Sequence, residues 1–342
     1  MSENPNILLI YTGGTIGMIK DPKTAELRSF DFNHIDAHVP ELGRLNINLA
    51  CISFPVPVDS SEMNPTYWKK LAFIIEENYN KYDGFVVLHG SDTMAYTASG
   101  LSFMLENLNK PVIFTGSQLP IGTIRTDGKE NLITSIEIAA AKDESGEPRI
   151  KEVGVYFEYS LYRGNRCSKV SANQFEAFQS PNFPELAVAG VDIDYTNPLY
   201  TEPIEEFKLF TDFDTRVALL KMFTGIDIEI YSSLFDIEKV KAIVIETYGA
   251  GNAPSDPKLQ KKIKDFIGQG GVVLNITQCS SGSVQQGKYE TSSFFNKSGV
   301  ISGRDMTTES ALAKLMYLLG KYKNREKVVD LLQQNLRGEM QI

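Results

Sequence analysis

Short apolar runs that stop in glycine-bearing polar turns constrain the fold of this chain more than any other feature. The first run, Ile7-Leu8-Leu9-Ile10-Tyr11, passes straight into Thr12-Gly13-Gly14-Thr15-Ile16-Gly17. An unbroken apolar stretch halted by glycines suits a strand covered on both faces, as in a parallel sheet. Phe85-Val86-Val87-Leu88 repeats the pattern and ends in His89-Gly90-Ser91-Asp92, with helical spacing onward from Thr93 through Leu105. Val112-Ile113-Phe114 ends in Thr115-Gly116-Ser117-Gln118, and Val153-Gly154-Val155-Tyr156-Phe157 leads towards Tyr162-Arg163-Gly164-Asn165. Asn64-Pro65 reads as a helix start, with Trp68, Leu71, Ile75 and Tyr79 behind it at helical spacing. This alternation predicts an α/β fold with a mainly parallel sheet, in which ligands gather beyond the carboxyl ends of the strands. Each of these polar turns is expected at such an end.

From Pro181 to Asp214 the pattern weakens into Pro-, Asn- and acid-containing sequence. Beyond it, Val217-Ala218-Leu219-Leu220, Ala242-Ile243-Val244-Ile245 and Val272-Val273-Leu274-Asn275-Ile276 read as strands, Leu259 to Ile267 and Glu309 to Leu319 as helices. The 342 residues suffice for two domains of roughly 150 residues each. We expect a larger N-terminal domain over 1–195, a linker over 196–214 and a smaller C-terminal domain over 215–342.

Lys and Arg total 34 against 43 Asp and Glu, a formal net charge of -9. Such an acidic chain without a basic run is a poor partner for nucleic acid. No apolar stretch approaches the ~20 residues that span a bilayer, and Ile7 to Tyr11 is too short for a signal-peptide core. Cys51, Cys167 and Cys279 are far apart and offer neither a disulfide framework nor paired metal spacing. A soluble cytoplasmic protein is the expectation.

The first turn lacks both the G-x-G-x-x-G fingerprint and the Gly-Lys-Ser/Thr ending of a phosphate loop. It reads either as a tight strand-to-helix turn or, because Thr12 and Thr15 flank two glycines, as a cradle for an anion or a polarised carbonyl. His34 and His38 stand at i,i+4, but no carboxylate or cysteine pattern completes a metal site and Pro40 follows closely. His89 ends a buried strand and reads as a hydrogen-bonded structural residue; without a supported histidine base or a G-x-S-x-G elbow, a Ser-His-Asp hydrolase is disfavoured. Asp92 and Lys169 each read singly as a surface or helix-capping group, but together they offer another base. A lysine drawn out of water beside a carboxylate and hydroxyls can give up its proton and activate a serine or threonine.

Ile10-Tyr11-Thr12-Gly13-Gly14-Thr15-Ile16-Gly17-Met18 resembles the first signature of the bacterial-type L-asparaginases, and Leu88-His89-Gly90-Ser91-Asp92-Thr93-Met94-Ala95-Tyr96-Thr97 resembles the second. Supporting blocks run through Asp59-Ser60-Ser61-Glu62-Met63, Thr115-Gly116-Ser117-Gln118, Arg125-Thr126-Asp127-Gly128, Leu161 to Arg166, and Tyr248 to Pro254, so the likeness covers nearly the whole chain. The leaderless chain looks most like the cytoplasmic type I branch. The resemblance implies two flavodoxin-like domains and hydrolysis of asparagine to aspartate and ammonia. It makes Thr15 the nucleophile that forms a β-aspartyl ester, with Ser91, Asp92 and Lys169 as the supporting hydroxyl, carboxylate and amine. Ser60 matches the position that holds the substrate α-carboxylate, flanked by Asp59 and Ser61, and Asp92 also meets the α-ammonium. No cofactor or metal is implied. A homodimer, or a tetramer of two dimers, is expected, with the Tyr248 to Pro254 and Thr277 to Ser280 turns contributing to a neighbour's site.

Three departures from the family pattern stand out. Ser91 replaces the threonine of the second signature, which keeps the hydroxyl but loses the methyl that fixes its rotamer. The stretch from Ile19 to Pro40 holds no tyrosine, although the family often carries one in the loop after the first signature. Glu246 stands where some cytoplasmic relatives use an arginine for a second asparagine site, so activation by asparagine is disfavoured despite Thr277 and Cys279. Two other readings remain beside the asparaginase one: a broader amidohydrolase acting on glutamine or a carrier-bound amide, and an amino-acid sensor that has lost turnover.

Overall fold

The structure, a computed structural model, describes residues 4–20, 27–29, 39–196, 205–287 and 290–341. His34, His38 and most of the stretch between Ile19 and Pro40 lie outside the described residues. The chain divides into two compact units, Met1–Leu209 and Phe210–Ile342.

The first unit contains, in chain order, β1 (Asn6–Tyr11), β2 (Met18–Lys20), β3 (Leu27–Ser29), β4 (Asn48–Ser53), α1 (Pro65–Asn78), β5 (Gly84–Leu88), α2 (Met94–Met104), β6 (Leu105–Glu106), β7 (Val112–Thr115), α3 (Gly128–Ala140), β8 (Val153–Phe157), β9 (Ser160–Arg163), β10 (Ser168–Lys169), β11 (Phe178–Gln179), β12 (Ala187–Ala189), β13 (Ile193–Tyr195) and β14 (Lys208–Leu209). Its main sheet runs β13-β12-β9-β8-β7-β5-β1-β4. Strands β4, β1, β5, β7 and β8 are parallel. Numbered among themselves they stand in the flavodoxin-like order 2-1-3-4-5, which reverses direction between β1 and β5.

The unbroken apolar runs are explained by burial on both faces. Ile7, Leu9, Tyr11, Val86, Leu88 and Ile113 share one core with Leu132 and Ile136 of α3. The alternate residues Leu8, Ile10, Phe85, Val87 and Phe114 point to the opposite face and are equally buried. Helix α1 begins as its sequence indicates: the Asn64 side chain accepts a hydrogen bond from Thr66 N at 3.0 Å, Pro65 fills the first turn, and Trp68, Leu71 and Ile75 are buried.

Two expectations need correction. The first turn does not lead into a helix; a short 3-10 turn, Thr15–Gly17, passes directly into β2, which pairs with β3. Tyr162 and Arg163 are not in a turn at a carboxyl end but in β9, which folds back antiparallel on β8. The two-residue turn between them is made by Glu158 and Tyr159, both left-handed at φ 41° and 60°. Antiparallel β12 and β13 extend the sheet from β9, so helix and strand do not alternate through this region. Within the expected linker, Lys208 and Leu209 pair with Glu106 and Leu105 of β6.

The second unit contains β15 (Val217–Lys221), β16 (Ala242–Thr247), α4 (Pro257–Gly268), β17 (Val272–Thr277), α5 (Glu290–Ser298), β18 (Ile301–Ser302), α6 (Thr308–Lys321) and α7 (Arg325–Leu332). Its four strands are parallel and follow sequence order across the sheet. Asp256 caps α4 through Lys258 N, and Leu259, Ile263 and Phe266 pack on Leu220, Ile243, Ile245 and Val273. Lys314 of α6 and Glu339 form a fully buried ion pair at 2.6 Å. The same ammonium donates to the carbonyl of Leu332 at 3.1 Å, and the Glu339 carboxylate accepts from Leu336 N and Arg337 N. Among the described residues, no helix is long and apolar enough to cross a membrane.

Candidate active site

In the first unit the turns after β1 and β5 flank the point where the strand order reverses, which is where open α/β sheets bind ligands. Thr12 ties the two strand ends together: its backbone N and its hydroxyl both donate to the carbonyl of Leu88, at 3.0 and 2.9 Å. Beyond Thr12 the chain passes through Gly13 and Gly14, at φ +140° and +90°. A Cβ on Gly13 would stand 2.1 Å from Val58 O, and one on Gly14 2.5 Å from Gly90 N. Only glycines allow this backbone-on-backbone approach. The buried Ser60 side chain packs against Gly90 from another side, its hydroxyl oxygen 2.6 Å from where a Cβ would be. Three loops therefore meet at Gly90, bringing Thr15, Ser60 and Ser91 to one place, since Thr15 and Ser91 each directly follow one of the two touching glycines.

Each loop is fixed by its own hydrogen bonds. The Asp59 carboxylate accepts from Ser61 N at 2.9 Å and from the Ser61 hydroxyl at 2.8 Å, bonds that hold its pKa below the ordinary carboxylate value. Thr93 donates its hydroxyl hydrogen to Ser60 O at 2.6 Å. His89 is wholly buried; its ring donates from Nδ1 to Gly90 O at 2.7 Å and accepts at Nε2 from the Thr97 hydroxyl at 3.0 Å. That is the structural role its place at a strand end indicates. Burial lowers its pKa to about 4.

Lys169, on the short strand β10, reaches this cluster from 77 residues away in the chain. Its ammonium donates to Asp92 Oδ1 at 2.6 Å and to the Ser91 hydroxyl oxygen at 2.8 Å. Among the described residues Lys169 bonds Ser91 and Asp92 but not Thr15, and Asp92 Oδ2 is left without a hydrogen bond. The Lys169 side chain is 15% exposed and that of Asp92 69%, so the carboxylate stays open to solvent while the amine is largely covered. Such a cluster can pass protons to and from a hydroxyl, and its open carboxylate can pair with a cation.

Gln118, from one of the supporting blocks, also meets this cluster. The Ser91 hydroxyl donates to its Oε1 at 3.3 Å. Buried Asp127 fixes this turn by accepting from Gln118 N at 2.8 Å and Leu119 N at 3.0 Å. The one signal for Gln118 in the sequence is a polar side chain just past the end of β7. Among the described residues no group of three or more His, Cys, Asp or Glu could hold a metal ion. In the second unit the Glu246 carboxylate accepts from Thr308 at 2.5 Å and pairs with Lys221 at 3.3 Å.

Comparison with known proteins finds relatives of both halves of the chain. The asparaginase N-terminal family model matches residues 6–200, and the glutaminase/asparaginase C-terminal domain model matches residues 216–332. L-asparaginase 1 of Escherichia coli is 40% identical over 99% of this chain and 98% of its own length. The crystal structure of L-asparaginase I from Vibrio cholerae superposes with a TM-score of 0.90 at 41% identity, covering 99% of this chain and all of the other. The thermostable L-asparaginase from Thermococcus kodakarensis gives 0.89 at 29% identity, over 98% and 99% of the two chains. With both halves matched, and with the glycine-nested turns after β1 and β5 holding the two family signatures, this chain belongs to the asparaginase family.

Proposed function

We propose that this protein hydrolyses the side-chain amide of L-asparagine to L-aspartate and ammonia. The observation that carries the proposal is the Lys169–Ser91–Asp92 cluster, set beside Gly90 against the turn that bears Thr15. The Thr15 hydroxyl oxygen bonds to the amide carbon. With Lys169 first deprotonated to the neutral amine, the Thr15 proton passes to Ser91 while the Ser91 proton passes to the Lys169 lone pair. The C–N bond then breaks and Lys169 returns the proton to the leaving nitrogen, releasing ammonia. Water cleaves the resulting β-aspartyl ester along the same path and restores Thr15. Backbone N–H groups of Thr15 and Ser91 stabilise the oxyanion. Ser60 holds the α-carboxylate with Ser61 beside it, Asp59 bonding Ser61 and Thr93 bonding the Ser60 carbonyl. The free Oδ2 of Asp92 takes the α-ammonium.

Purified Thr15→Ala is expected to release ammonia from asparagine about 10³-fold more slowly than wild type, or less, with unchanged circular dichroism. Near-normal turnover in that variant would end the nucleophile assignment. The C-terminal family model spans glutaminases as well as asparaginases, so the same assay on glutamine separates the narrow substrate choice from the broad one. Aspartate binding without any turnover would favour a sensor.

A homodimer or homotetramer and a cytoplasmic location belong to the same proposal. The exposed apolar side chains Leu219, Phe223 and Ile230 of the second unit support association. Light scattering at micromolar concentration is expected to return a dimeric or tetrameric mass, and a monomeric mass would count against it.

A further inference from the structure

We propose that Gln118 is the residue that fixes the hydroxyl of Ser91 in this chain, a positioning role a threonine methyl would otherwise fill. The inference rests on the hydrolase reading above and deepens it. A serine χ1 is free to occupy three wells, whereas the branched threonine is restricted. Ser91 therefore needs an external restraint to present its oxygen to Lys169, and hydrogen-bond directionality supplies one. The Gln118 side chain donates from Nε2 to the main-chain carbonyl of Gln174 at 2.9 Å. A carbonyl can only accept, so the NH₂ end of the amide must face Gln174 and the oxygen end must face Ser91. The Ser91 hydrogen then points to Gln118 Oε1, and the Ser91 lone pairs are left for the Lys169 ammonium, which donates to them at 2.8 Å.

Both ends of this chain of bonds are anchored. Gln174 N donates to the Ser171 hydroxyl at 3.0 Å, and the Asp127 carboxylate grips Gln118 N at 2.8 Å. At 3.3 Å the bond from Ser91 to Gln118 is long for a hydroxyl donor. It orients the hydroxyl yet leaves it able to swing to Lys169 when that amine is neutral and the relay runs. Gln118 acts only through Ser91, so its effect must depend on what stands at position 91.

The experiment is a double-mutant cycle of Gln118→Leu with Ser91→Thr, with kcat and KM for asparagine measured across pH. Gln118→Leu alone is expected to lower kcat about tenfold with KM within about twofold. In the Ser91→Thr background the same change is expected to cost less than about threefold, because the methyl takes over the restraint. Gln118→Glu, whose carboxylate cannot donate to the Gln174 carbonyl and so loses that anchor, is likewise expected to lower kcat about tenfold with KM within about twofold. Equal losses from Gln118→Leu in the wild-type and Ser91→Thr backgrounds, or no loss in either, would overturn the inference while wild-type ammonia release leaves the asparaginase reading intact. Absence of turnover in wild type would fail that reading first. Matching thermal midpoints among the variants exclude misfolding as the cause, and the Glu variant, which keeps the shape of the side chain, serves if the Leu variant does not fold.

Discussion

At the scale of single residues, His89 links the site to the stability of the first unit. Its ring is buried and satisfied in the neutral form, and its pKa is lowered to about 4. An unfolded chain takes up a proton on this ring near pH 6.5, which the folded ring refuses. The stabilising contribution is therefore complete above that pH and is lost as pH falls towards 4, on the order of 3 kcal/mol in all. Urea denaturation between pH 7 and 4 is expected to show a shallower acid loss in His89→Gln than in wild type; parallel curves would refute the assignment. Ser91, Asp92 and Lys169 stand out in the sequence through the family resemblance, since each alone reads as a surface or capping group. Gln118 stays hidden in the sequence because an amide has no acid–base chemistry of its own. The role proposed for it comes from the directions of two hydrogen bonds, whose partners only the fold brings together.

Among elements, the clearest signals come from β1, β5 and β7, whose apolar runs are buried on both faces and so carry no competing pattern. The β8–β9 hairpin reads wrongly for a definite reason. Its turn is built by Glu158 and Tyr159 in left-handed conformations, without the Asn-Gly or Asp-Gly pair by which such turns are recognised. The Asn131 side chain helps impose the turn, accepting from Glu158 N at 3.1 Å. A left-handed conformation costs a branched or bulky residue roughly 1–2 kcal/mol. The double change Glu158→Asn and Tyr159→Gly is thus expected to stabilise the protein by about 1 kcal/mol, a rise in the urea midpoint with an unchanged slope. A lowered midpoint would show that the side chains of this turn contribute more than its backbone costs. The short β2–β3 pair is equally hidden, being three residues per strand and lacking regular alternation.

Across the whole molecule, the two-unit organisation is legible because the apolar alternation lapses and then resumes. Within the expected first domain β12 and β13 extend its sheet, and within the expected linker over 196–214 β14 returns to β6. Strands of only two or three residues give no local periodicity to read. The buried Lys314–Glu339 pair leaves no trace in the sequence either, since both residue types are normally surface groups. Burial pulls the Lys314 pKa down while Glu339 opposes the shift. Glu339→Gln is expected to cost about 3–5 kcal/mol by stranding a buried cation. Lys314→Met combined with Glu339→Gln is expected to cost less than the sum of the two single changes, as measured by chemical denaturation. Additive losses would mean that the two groups do not sense each other.

That pair also sets a timetable for biosynthesis. The strands and most helices of the second unit are translated well before Glu339, yet until that carboxylate leaves the ribosome exit tunnel the amine of Lys314 has no counter-charge to justify its dehydration. Closure of this unit is thereby deferred until Glu339 has emerged, whereas the signature-bearing sheet, complete by Tyr195, is free to settle while translation continues.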